Sequence, residues 1–326
     1  MENFNFIDFH RTRDFSRKLN ATFEFVKQNF KSLGKSILFI AGPPVLVASL
    51  IIGSFMSDFM NFSMMGNPGE EFQAYATSVT FWLQLALMAV FLTISGVMNL
   101  ATVNNYLLLY EKRQTNKIEV SEVWEEVRKT FWMYFTTVFL FMILLVAAII
   151  VMLIPMGLLV AISPVLSVFG FLIFYCGLIY FFFGAAFVFI IRTYEKKGFF
   201  ESVFRSFKLV KDKWWSTFGL VVILYMIMGI SSYIFLIPYY IIAGVSALHT
   251  TTAGTFQEPS LTMQVMTIVF FTLYYLAQMV LTALPNVGTA FQYFNLVELK
   301  EAKGLMAQIE TLGQAHPPAP STEEHF

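Results

Sequence analysis

Between Trp132 and Ile191 the chain has no Asp, Glu, Lys or Arg. Further uncharged stretches run Ser36–Ser57, Phe72–Tyr110, Trp214–Gln257 and Pro259–Val297. A helix needs about 20 apolar residues to cross the roughly 30 Å of bilayer hydrocarbon. Each stretch is long enough. A helix of a soluble domain keeps a polar face for water, whereas these segments are apolar all round. The chain therefore reads as an all-α integral membrane helical bundle. Charged residues make up 13% of it, against about 25% in soluble domains.

Six transmembrane helices are predicted, over Ser36–Phe55, Phe81–Leu107, Phe131–Leu153, Phe169–Ile191, Thr217–Ile241 and Met266–Leu296. The basic residues set their orientation. All 21 Lys and Arg lie before the first span, between spans two and three, between spans four and five, or after span six. The alternate loops carry only Asp58, Glu70, Glu71 and Glu258. Positive residues stay cytoplasmic during insertion, so both termini are expected in the cytoplasm. The polar, charged start of the chain shows no cleavable leader pattern. Residues 1–35 are then an amphipathic cytoplasmic segment. Residues 36–300 form the six-helix domain, with interfacial helices near 118–130 and 199–213. Residues 301–326 form a partly disordered cytoplasmic tail, rich in Pro, Ser, Thr and Glu.

A pattern, aromatic-x-x-Val-basic-x-x-aromatic, precedes each odd-numbered span. Its copies are Phe23-Val26-Lys27-Phe30, Trp124-Val127-Arg128-Phe131 and Phe207-Val210-Lys211-Trp214. The second and third stay in register as far as Leu153-Ile154-Pro155 and Leu236-Ile237-Pro238. This predicts three pseudo-repeated units, each an interfacial amphipathic helix plus a transmembrane hairpin. Aromatics would enter the acyl boundary while cations meet lipid phosphates. The candidate headgroup contacts are Lys27, Arg128, Lys129, Arg205, Lys208 and Lys211.

Catalytic signatures are missing. The histidines His10, His249, His316 and His325 are scattered, outside any metal-ligand spacing. No phosphate-cradling glycine loop or nucleophile motif occurs. The lone cysteine, Cys176, reads as a buried membrane thiol. Gly42, Gly96, Gly170, Gly184 and Gly229 are expected at close helix contacts. No cofactor is expected, and the zero net charge gives no reason to expect nucleic acid. The predicted spans hold no ionisable Asp, Glu, Lys, Arg or His, which argues against a proton-coupled route. Their polar side chains include Asn99, Asn104 and Asn105 on span two and Asn286, Gln292 and Asn295 on span six. These either bond helix to helix or line a polar cleft open to the cytoplasm. Pro155, Pro238 and Pro285 would kink helices around such a cleft or end spans.

The stretch Gly198-Phe-Phe-Glu201-Ser202-Val-Phe-Arg205-Ser206-Phe-Lys208-Leu-Val-Lys211-Asp-Lys-Trp214-Trp215, continuing to Phe218-Gly219, resembles a segment of polytopic bacterial membrane proteins. These are similar to the membrane domain fused to some glycerophosphodiester phosphodiesterases, and to related inner-membrane proteins. The resemblance spans roughly residues 15–300. It implies a bacterial cytoplasmic membrane and a lipid-related or envelope role, with no catalysis here. The expected function is a non-enzymatic scaffold or lipid-related accessory protein whose partners are membrane lipids, anionic ones among them. The alternative is a transporter or lipid flippase using the polar cleft. An intramembrane enzyme acting on lipid is the third and weakest reading.

Overall fold

The computed structural model describes residues 5–64, 68–253, 261–302 and 306. Among them every regular element is a helix. Helix α1 spans Phe15–Ile40, α2 Gly42–Met64, α3 Pro68–Ala76, α4 Val79–Arg113 and α5 Val120–Ile162. Then come α6 (Pro164–Gly184), α7 (Val188–Tyr194) and α8 (Phe199–Val210). The last four are α9 (Trp214–Tyr233), α10 (Ile237–Ala253), α11 (Leu261–Leu281) and α12 (Ala283–Glu301). Short 3-10 turns at Lys211–Lys213 and Ile234–Leu236 join α8 to α9 and α9 to α10. Among the described residues six helical segments are long and apolar enough to cross a membrane: α2, α4, α5, α6 with α7, α8 through α10, and α11 with α12. The chain is an all-α polytopic membrane protein.

Helix starts follow local chemistry. The Asp14 carboxylate accepts from Arg17 N at 2.8 Å and caps α1. Ser78 caps α4 through Phe81 N. Glu119 and Glu122 form a reciprocal capping box on α5. That helix has 43 residues, about 65 Å at 1.5 Å per residue. Its charged first turns project beyond the hydrocarbon, and its apolar remainder is long enough to require tilt. It also runs through Pro155 to Ile162, so this proline does not end the span. Pro238 and Pro285 instead stand at the second position of α10 and the third of α12. There the missing N–H costs no helix bond.

Two spans are broken near their basic ends. Between α6 and α7, Ser206 of α8 bridges the gap. Its hydroxyl donates to Gly184 O at 2.6 Å and accepts from Phe187 N at 3.2 Å. Backbone groups freed inside a membrane protein need such partners. The second break, at Thr282, separates α11 from α12; Thr282 Oγ1 donates to Gln278 O at 2.6 Å.

The core is gathered at the basic end. In α4 the buried positions run from Ser95 to Tyr110, while the residues ahead of Ser95 are never buried. Helix α12 is buried along nearly all of its length. In the α5–α6 hairpin, by contrast, only Val123, Val127, Tyr134, Thr137, Phe183 and Gly184 are buried. Its far half buries no residue fully: Leu144, Ala148, Met152, Met156 and Gly170 are half-buried where the two helices meet, and the other faces are exposed; hydrocarbon gives helices no hydrophobic reason to associate.

Helix α1 has three faces. Arg17, Glu24, Lys27, Lys31 and Lys35 are exposed along one. Phe15, Phe23 and Phe30 form a second, apolar and also exposed. Lys18, Thr22, Phe25, Asn29, Ser36 and Ile37 form a buried third face against the bundle. The expected amphipathic helix is present, yet much of its polarity points inward. The other two copies of the motif place their residues comparably, with Val127 and Val210 buried and Arg128 and Lys211 exposed. The junctions to the following spans differ, however. Helix α1 stops at Ala41, α5 continues unbroken, and α8 reaches α9 through a 3-10 turn.

The closest backbone approach is at Gly53, where an added Cβ would lie 2.7 Å from Ile268 Cα. Gly170 and Gly184 also face neighbours, whereas Gly42, Gly96 and Gly229 have nothing within 4 Å of a Cβ. These last three are therefore not at the tight contacts expected of them. Apart from Glu301, Ala302 and Met306, the expected C-terminal tail lies outside the described residues, as do the side chains of His249 and Glu258.

Candidate lipid-headgroup site at the basic end

An aromatic cluster closes the middle of the basic end. Phe9, from the strap ahead of α1, stacks on Tyr110 at 5.6 Å and on Phe294 at 5.2 Å, and meets Phe291 edge-on at 5.4 Å. Phe25 packs edge-on against Tyr110 at 4.8 Å. The strap is tied down further. Ile7 N donates to Tyr110 Oη at 3.0 Å, Arg13 N to Asn295 Oδ1 at 2.6 Å, and His10 Nε2 lies 2.9 Å from Glu111. The bond to Glu111 raises the His10 pKa, against the opposing effect of burial; Asp8 and Glu298 add to the rise.

The amides of the expected cleft are distributed through this packing. Asn99 Nδ2 donates to Met279 O at 2.9 Å, and Asn104 Nδ2 to Leu100 O at 3.1 Å. Asn105 Nδ2 donates to Thr130 Oγ1 at 2.8 Å. Asn295 receives the strap, and Gln292 Nε2 donates to Thr217 Oγ1 at 3.0 Å. Asn286 is half-buried, its Nδ2 without a partner among the described residues. No two of the six bond to each other; each of the other five is spent on a different neighbour.

The candidate headgroup residues separate into two groups. Lys27, Arg128, Lys208 and Lys211 are exposed and make no ion pair among the described residues. Lys129 is shared by Glu125 and Glu126, at 3.2 and 2.8 Å. Arg205 is held inside a network. It contacts Glu195 at 3.1 Å and pairs with Glu301, while Lys197 and Tyr293 also reach Glu195. Burial pushes the Glu195 carboxyl up, but the bonds from Lys197 and Tyr293 and the charge of Arg205 outweigh it and bring its pKa below the ordinary value. Arg205 thus ties α8 to the α7–α8 loop and to α12, and its guanidinium is taken.

Lys18 was hidden in the sequence among the basic residues of the first segment. It is 3% exposed. Its ammonium donates to Gln292 Oε1 at 2.6 Å and Ser216 Oγ at 3.1 Å, both neutral. Burial lowers its pKa, and the neighbouring charge of Lys213 lowers it further, with Asp14 opposing. A spacing signal did exist: Lys18, Thr22, Asn29 and Ser36 repeat at helical intervals on a face distinct from the charged one.

Beside Ser216 a groove runs between α6 and the start of α9. Lys211, Lys213, Trp214, Trp215 and Tyr180 line it, with a volume of about 1020 Å³. Tyr180 stacks on Trp214 at 5.7 Å, and Trp214 on Phe218 at 5.2 Å. Trp215 is 77% exposed. Cys176 faces outward on α6 along the same groove. Among the described residues no three His, Cys, Asp or Glu side chains are grouped to hold a metal ion.

No family model, curated protein or solved structure matches this chain.

Proposed function

We propose that the chain is a non-enzymatic polytopic protein of a bacterial cytoplasmic membrane, a scaffold or lipid-related accessory component that engages anionic lipid through its basic end. One observation carries this reading. The free cations Lys27, Arg128, Lys208 and Lys211 each lie within four residues of an exposed aromatic: Phe23, Trp124, Phe204 and Trp215. Aromatics at the acyl boundary with cations at the phosphates are what an anionic interface selects. The resemblance to phosphodiesterase membrane domains points toward the same lipid-side role. A transport route would need a continuous polar lining, and five of the six amides that would supply it are engaged with separate neighbours.

The test is lipid retention. Purified protein is mixed with phosphatidylglycerol or phosphatidylcholine at low salt, and bound lipids are counted by native mass spectrometry. Phosphatidylglycerol is expected to be preferred. Each exposed cation contributes about 1 kcal/mol, so replacing Lys27, Arg128, Lys208 and Lys211 together by Gln should erase most of that preference. Equal retention of the two lipids, unchanged in the quadruple variant, would refute the proposal.

A further inference from the structure

We propose that the groove between α6 and the start of α9 seats one anionic glycerophospholipid, with its phosphate at the Lys211–Lys213 turn and an acyl chain along Tyr180 and Cys176. The inference rests on the lipid-engaging reading above and assigns it a single place.

Charge complementarity identifies the occupant. Lys211 and Lys213 are exposed and unpaired among the described residues. Asp212, the one acid on the rim, is drawn off by Lys300 at 3.0 Å. Behind the rim stands Lys18, buried and bonded only to neutral oxygens, one of them Ser216 Oγ of the groove wall. A buried ammonium is ordinarily matched by a carboxylate. Asp14, the carboxylate whose charge acts on Lys18, is occupied in capping α1 and pairing with Arg17 at 3.4 Å. The groove mouth therefore has the field of three cations and one neutralised acid, which suits a phosphodiester.

The walls select a lipid over a free anion. Below the lysines the lining turns aromatic and then aliphatic, through Trp214, Phe218, Tyr180, Ile179 and Cys176. The exposed face of α6 continues that surface away from the basic end. A volume of about 1020 Å³ is at the upper end of the roughly 300–1,000 Å³ of small-ligand sites, enough for a headgroup and the upper part of a chain. A soluble phosphate compound would leave the apolar floor uncovered.

The experiment uses the full chain in nanodiscs doped with phosphatidylglycerol carrying a photoactivatable group on one acyl chain. Cross-linked peptides are mapped by mass spectrometry. Labelling is expected to concentrate at residues 176–180 and 214–218. Lys211→Gln with Lys213→Gln should cut it at least about tenfold, while Lys112→Gln with Lys117→Gln, exposed cations outside the groove lining, should leave it within about twofold. Equal labelling by the phosphatidylcholine analogue, or labelling spread along α5 and α6 and indifferent to Lys211 and Lys213, overturns the seat. If anionic lipid is still preferentially retained in that case, the general lipid-engaging function stands without it; loss of all anionic preference removes both.

Discussion

Two side chains at the basic end hold charge in ways with measurable consequences. Lys18 is a buried ammonium bonded to an amide and a hydroxyl. Removing a buried charge that has no counter-ion recovers its desolvation penalty, which offsets the cost of leaving Gln292 Oε1 without its donor. Lys18→Met in neutral lipid should therefore shift the melting temperature by no more than about 4 °C, roughly 1–2 kcal/mol at this size. The increase in melting temperature on adding phosphatidylglycerol should shrink, because the charge that anionic lipid balances has gone. A large drop in neutral lipid would mean that the charge itself holds the fold. His10 acts through pH. Its folded pKa is raised above the ordinary 6.5, chiefly by its bond to Glu111. The stabilisation is then complete below about 6.5 and is lost as pH rises through the raised value. The pair is about one-third exposed, so after screening it contributes no more than about 1 kcal/mol. Hydrogen exchange over residues 5–14, corrected for intrinsic pH dependence, should lose up to about fivefold in protection between pH 6 and 8. His10→Gln should abolish that change.

At the scale of helices, packing depends on where backbones come closest. Gly53 of α2 lies against Ile268 of α11, and the atom in the way of a Cβ is backbone, which has no side-chain rotation to offer. Gly53→Ala should force the helices apart and cost about 1–3 kcal/mol, seen as earlier thermal unfolding in detergent. Gly42→Ala, with nothing within 4 Å of its Cβ, should leave unfolding unchanged; similar behaviour of the two variants would contradict this contact. The sequence announced the spans and their number, because charge-free length and the position of Lys and Arg are one-dimensional facts. It did not announce Gly53, since a glycine in an apolar run looks alike whether it meets a neighbouring backbone or open lipid. The breaks at Ala185–Phe187 and Thr282 were equally hidden. They depend on Ser206 and on tertiary contacts that no local pattern encodes. The six amides were visible as polar residues in greasy helices, but whether they line a cleft depends on which neighbour each one meets.

On the scale of the whole molecule, polarity and packing are arranged along one axis. The buried aromatic and amide core, the strap, the ion-pair network around Glu195 and the free lysines all lie at the end where the cations gather. Tyr75 with Asp58 and Gln84 marks the opposite end, where α2, α3 and α4 meet. The basic half of the candidate site was legible as exposed Lys and Arg at helical spacing, whereas the buried Lys18 and the groove exist only once α1, α6, α9 and α12 are assembled. Insertion should follow the same axis. Translocating a Lys or Arg costs more than translocating an Asp or Glu, so the basic end should face the cytoplasm. Cys176 is the sole cysteine, so a Cys176→Ser background permits single reporters. Lys117→Cys and Lys196→Cys should react with a membrane-impermeant maleimide only after the cells are opened, and Asp58→Cys should react in intact spheroplasts. Labelling of Lys117→Cys from outside would invert the molecule. The free lysines would then face the leaflet away from the cytoplasm, and the anionic lipid they are proposed to hold would have to be found there.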